Sequence, residues 1–179
     1  MEDRSLHDAF VELHGDRLHG FALIVTLGDR SLAGTLTAQV LARGLGQISE
    51  LRHPERAATW LRASLARSAE GPAWGHQRPS DTERRVALQT LAVDPATYDA
   101  LASLDVPGRA AIAAAAVERF VPADVNEIVG SADRVRDARR DFMTAYLAAA
   151  QTRHAPPPSG ALADRVRNRA ARVLSGSDR

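Results

Sequence analysis

Apolar residues recur along this chain at intervals of three and four, the spacing of helices that bury one face. Phe10, Leu13, Leu18, Phe21, Ala22, Leu23 and Val25 mark the stripe of a first helix with a break expected near Gly15, and Leu27-Gly28-Asp29-Arg30 reads as a turn. A second helix over 32–45 carries Leu32, Leu36, Val40 and Leu41, with Ser31 as its expected N-cap. Pro54 stands where a third helix starts, and Ala57, Trp60, Leu61, Ser64 and Leu65 follow at the same period. Trp60 sits on the apolar stripe and is expected to anchor a core.

The period then lapses. Residues 70–82, EGPAWGHQRPSDT, hold two Pro and two Gly and predict a flexible linker, with Trp74 as a candidate exposed contact. Residues 83–91 suit a short helix, and Asp94-Pro95 opens another that carries Tyr98 and Leu101. From 101 to 142 the chain reads as a helix, a short second helix, a glycine turn at Gly130 and an arginine-bearing third helix, the outline of a helix-turn-helix. Val135, Ala138, Phe142 and Tyr146 fall on one stripe of that third helix, and Arg136 and Arg140 point away from it. A nucleic-acid role for this helix requires both guanidinium groups to face outward without being held by neighbouring carboxylates, of which Asp137 and Asp141 are close in sequence. His154 to Gly160 is proline-rich, and 161–174 predicts a basic tail helix with Leu162, Val166, Ala170 and Val173 on one side.

The expected architecture is all-α. It has a helical domain at 1–69, a linker at 70–82, a helix-turn-helix domain at 83–150, and a spacer with a basic tail at 151–179. Composition agrees: aromatics are 4% of the chain, and Ala, Leu and Val carry the apolar content, as close-packed helices require. The net charge of +1 conceals an asymmetry. Residues 134–179 hold 10 Arg against 4 Asp, and 1–133 hold 13 Arg against 18 acidic residues. Clustered cations favour a polyanion. The tail arginines Arg165, Arg167, Arg169 and Arg172 therefore suit either nonspecific DNA or the acidic surface of the first unit.

Taken in order, these segments resemble the extracytoplasmic-function sigma factors of bacterial RNA polymerase. AFVELHGDRLHGFALIVTLGDRSLAGTLTAQVLARGLGQI is similar to the family's polymerase-binding helices, and LRHPERAATWLRASLARSA to its promoter-melting segment. LASLDVPGRAAI and NEIVG are similar to the helices that precede the family's recognition helix. The resemblance covers most of residues 8–147, and it is to a divergent member: Ala33-Gly34-Thr35-Leu36-Thr37-Ala38-Gln39 stands where the family usually carries an acidic run. It implies a cytoplasmic initiation factor with promoter DNA and the core RNA polymerase as partners, together with an antagonist of the anti-sigma type or another regulatory protein. Thr35, Leu36, Gln39 and Arg43 would then dock on polymerase. Arg56 and Arg62, with Arg52 and Arg67 around Trp60, would border unpaired promoter bases, and Arg134, Arg136, Arg139 and Arg140 would contact duplex. The alternative is a degenerate sigma-like scaffold that binds another protein without melting a promoter.

No other chemistry has support in the sequence. There is no glycine-rich phosphate loop, no nucleophile elbow and no cysteine, so neither an enzyme nor a cofactor is expected. His7, Glu12, His14, Asp16 and His19 lack metal-ligand spacing and read as surface residues. No run is long enough for a membrane span, and the charged start, MEDRSLHDAF, lacks the apolar core of a signal peptide.

Overall fold

The helical period is realised throughout. A computed structural model of the protein describes residues 2–51, 53–71 and 78–154, and every regular element among them is helical. Arg52, Trp74 and the tail helix with Arg165, Arg167, Arg169 and Arg172 lie outside the described residues. In chain order the elements are α1 (Glu2–Val25), α2 (Arg30–Leu45), α3 (Pro54–Ala69), α4 (Asp81–Gln89), α5 (Pro95–Ala102), α6 (Val106–Ile112) continuing into a π-helical turn (Ala113–Val117), α7 (Pro122–Val129) and α8 (Ala132–His154).

Short polar side chains set most of the helix starts. Asp29, not Ser31, caps α2 by accepting from the Leu32 amide at 2.9 Å. Ser80 and Glu83 form a reciprocal capping box that starts α4 at Asp81, two residues before the expected position. Asp94 and Asp105 cap α5 and α6, each followed by a proline in the first turn. α1 runs unbroken through Gly15, because burial of Phe10, Leu18, Phe21 and Val25 outweighs the roughly 1 kcal/mol that a mid-helix glycine costs. Leu13 is an exception to its stripe and faces solvent.

Helix α3 is the hub. Leu61, Arg62, Ala63, Ser64, Leu65 and Ala66 are buried in succession, so no face of this stretch is left to water. The alanines and serine let neighbours close in on every side: α1, α2, α6 and α7 all pack against α3. Trp60 is partly buried against the core, as expected of an anchor. The buried residues of the two halves form one cluster running from Phe10 to Ala138.

A polar contact and a close backbone approach tie the halves across this cluster. The half-buried guanidinium of Arg109 donates from Nε to the Val25 carbonyl at 2.7 Å and from Nη1 to the Leu104 carbonyl at 2.6 Å, placing a cation on the C-terminal end of α1 where the helix dipole favours it. The α1–α2 turn meets α4 at Gly28, whose φ is +80°. A Cβ there would lie 2.4 Å from the Arg84 carbonyl oxygen.

The second half is braced by its own polar clamp. Tyr98 donates to Asp81 at 2.7 Å, and Arg85 bridges Asp81 and Asp99 while lying 4.1 Å over the Tyr98 ring. Burial, then the Asp81 bond, push the Tyr98 hydroxyl up to about 12. α8 packs Val135 and Ala138 inward against α5 and α6; farther along, Phe142 and Tyr146 stack at 6.2 Å.

The Gly28 contact generates a paired test. Gly28→Ala is expected to lower stability by about 2 kcal/mol or more, through left-handed strain and the clash with α4. Gly34→Ala, which meets nothing within 4 Å, should raise stability by up to about 1 kcal/mol. Urea denaturation midpoints of the two variants check both signs.

Candidate nucleic-acid and partner interface

The expected glycine turn joins α7 to α8. α7 ends at Gly130 in the left-handed region at φ +79°, its amide donating to the Asn126 carbonyl at 2.7 Å. Glycine adopts that conformation without the penalty a Cβ brings. The Ser131 hydroxyl then accepts from the Asp133 amide as α8 begins.

Arg134, Arg136, Arg139 and Arg140 are all exposed on α8. They do not present a field of bare cations. Arg136 is ion-paired with Asp133, and Arg140 with Asp137 at 2.9 Å and Asp141 at 3.1 Å. The requirement that Arg136 and Arg140 be unpaired is therefore not met. Asp141, then Asp137, hold the Arg140 pKa above its ordinary value. Such pairs, with every side chain more than half exposed, are worth only about 0–1 kcal/mol, so a phosphate can displace them. Their main effect is on the field: residues 132–141 carry four arginines against three aspartates, leaving little net charge to steer a polyanion.

The expected docking residues of α2 divide by face. Thr35, Gln39 and Arg43 recur every four residues toward solvent, and Arg43 Nη2 donates to Ser68 Oγ of α3 at 2.9 Å. Leu36 is buried, so it holds α2 to the core and offers a partner nothing. One residue from Thr35 around a 3.6-residue turn is enough to reverse a side chain's surroundings.

Among the residues expected at the single strand, Arg56 is exposed but Arg62 is not. The Arg62 side chain is 2% accessible, and its guanidinium grips Glu118 in a two-point pair, Nε to Oε2 at 2.7 Å and Nη2 to Oε1 at 2.9 Å. The Phe120 ring lies 5.7 Å from its carbon. Placing Arg62 at a DNA surface is corrected accordingly: it faces inward to a carboxylate 56 residues along the chain.

Local backbone irregularity aims that carboxylate. α6 widens into the π-helical turn, so the Glu118 amide bonds the Ala113 carbonyl, five residues back, at 3.0 Å, and the Phe120 amide bonds Ala114 at 3.0 Å. Arg119 takes a left-handed φ of 59°. π-helical turns concentrate at functional sites because the extra residue redirects side chains.

Beside the pair lies a cleft of about 970 Å³ between α1, α3 and the segment leading into α7. Arg17, Arg119, Asp16, Glu55 and Asp124 line it together with Leu13, Val117 and Val121. His14 lines it too, and is buried where the surface was expected. Its ring meets Phe10 edge-on at 4.8 Å. Burial first, then Arg62 and Arg17, lower its pKa from 6.5, so it is neutral at pH 7.

Sequence reasoning missed Glu118, Arg109 and His14 as structural partners. No local signal marks them, since each depends on a residue far along the chain. Among the described residues no cluster of His, Cys, Asp or Glu is placed to hold a metal ion, and no helix is long and apolar enough to cross a membrane. Comparison with protein-family models, curated proteins and solved structures finds no match to this chain.

Two tests follow from this geometry. Arg62→Met leaves the partly buried Glu118 without its partner and should cost up to about 3 kcal/mol, most of it recovered in Arg62→Met with Glu118→Leu; a denaturant double-mutant cycle measures the recovery. His14 binds a proton less readily folded than unfolded. Its contribution to stability is present above 6.5 and is lost as pH falls below that value through the lower folded one. Melting temperature should therefore drop as pH falls below 6.5, and His14→Asn should flatten the drop. The capping carboxylates Glu83 and Asp94 have lowered pKa values, so their contribution persists through this range and is lost only in more acidic solution.

Proposed function

We propose that this chain is a sigma-factor-like transcription regulator that works through protein contacts, in the arrangement described above, without melting promoter DNA. The pairing of Arg62 with Glu118 carries this reading. The resemblance assigns Arg62 to unpaired promoter bases, and a guanidinium that is 2% accessible and held at two points by Glu118 is turned away from them in this structure. The α2 face of Thr35, Gln39 and Arg43 supports the same view, because it offers a partner polar side chains without the acidic run that characterises polymerase docking.

A second reading keeps promoter DNA and core RNA polymerase as partners. It is favoured by the outward presentation of Arg134, Arg136, Arg139 and Arg140 on α8 beyond the left-handed Gly130. Their surface ion pairs are weak enough for DNA phosphates to replace.

A pull-down of the purified chain against core RNA polymerase, followed by transcription from a defined promoter, separates the two. The first reading expects no initiation, and a protein partner retained at high salt, where phosphate contacts are screened. The second expects a polymerase complex that initiates. It also expects Arg136→Ala with Arg140→Ala to weaken promoter binding and lower the salt slope by about two. Initiation by the wild-type chain would overturn the first reading.

A further inference from the structure

The Arg62–Glu118 pair has the form of an occupied anion site. A guanidinium fork that binds a carboxylate at two points binds a phosphate by the same geometry. Here the fork opens toward the cleft between α1 and α3, and the Glu118 side chain, 16% exposed, covers it.

The segment that carries this cover has few anchors. Val117 and Val121 on either side of it are 61% and 59% exposed, and Arg119 between them holds a left-handed backbone. Phe120, half-buried under the guanidinium, the ion pair itself and the amide bonds from Glu118 and Phe120 to Ala113 and Ala114 hold it in place. α3, by contrast, is fixed on all sides by the core. Displacing Glu118 thus requires a short irregular segment to shift while Arg62 stays in position.

We propose that Glu118 is an internal stand-in for a phosphate at Arg62, and that it yields the guanidinium to a phosphate group entering the cleft. Arg17 and Arg119 line the same cleft and supply further positive charge, while Asp16, Glu55 and Asp124 restrict how much of an anion it admits. The site goes beyond the function proposed above: a free phosphate compound leaves the first reading intact, whereas a strand bound at Arg62 would favour the second. The phosphate comes from a single-stranded nucleic acid or from a free phosphate compound, and the two sources call for separate probes.

The test compares wild type, Glu118→Gln and Glu118→Asp, with Glu118→Gln plus Arg62→Met as control, using a labelled single-stranded oligodeoxynucleotide and inorganic pyrophosphate. Glu118→Gln keeps an acceptor for Arg62 but removes the competing charge, and should bind at least one probe about tenfold more tightly than wild type. Adding Arg62→Met should abolish the gain. Tightening for pyrophosphate alone assigns a small-molecule site, and tightening for the oligonucleotide assigns a strand-binding one. Should Glu118→Gln not fold, Glu118→Asp keeps the charge on a shorter stem and should show a smaller gain. The chain has no cysteine, so a dye on Val121→Cys in the otherwise wild-type protein also reports movement of the segment as pyrophosphate or oligonucleotide is added. Unchanged affinity in the folded Glu118 variants, a gain that survives Arg62→Met, or a silent dye at saturating probe each overturns the proposal. None of these outcomes depends on polymerase binding.

Discussion

One constraint organises this molecule: a charged side chain sits on the central helix, and something must neutralise it. α3 is buried on every face over 61–66, and Arg62 lies in the middle of that stretch. An arginine cannot shed its proton to fit an apolar interior, so a carboxylate has to be delivered to it through the fold. Glu118 is that carboxylate, and it comes from the other half of the chain. The position of α6, the widened turn after it and the approach of α7 to α3 all agree with this delivery. The ion pair adds little net stability over apolar packing. It sets the register in which the two halves meet.

Around it the halves also meet at the end of α1. Arg109 satisfies the Val25 carbonyl, and the α1–α2 turn lies against the α4 backbone at a glycine. These contacts make the halves one cooperative core, although residues 78–80 between them are irregular. The exposed arginines of α8 belong to a different electrostatic regime. There water and salt screen every pair, and carboxylates three residues away reduce the field without burying it.

How much of this was legible follows the range of each interaction. The helices were legible because the apolar period is local, and so were the proline starts at Pro54 and Pro95 and the glycine turn at Gly130. Errors of a residue or two came from capping: Asp29 outcompetes Ser31 for the amides of α2, and Ser80 with Glu83 starts α4 early. Gly15 did not break α1, since tertiary burial overrides propensity. Periodicity shows which face of a helix is apolar, but not what covers it. Two units that read as separate in sequence share one core, and Arg62 and Leu36, read as surface contacts, are enclosed. Glu118 carried no sign of its role, because that role exists only once α3 and α7 are packed together.

The widened turn at Ala113–Val117 has an implication for how such a chain can change by insertion and deletion. Removing a single alanine from this run would restore an ordinary helical ladder. It would also rotate everything after it by about 100° about the axis, swinging the carboxylate at 118 out of line with α3. The number of residues there aims the acid at its base, while Ala113 and Ala114, fully buried, also fix how closely the neighbouring helices approach, so this tract is constrained in length as well as in the size of its first two side chains.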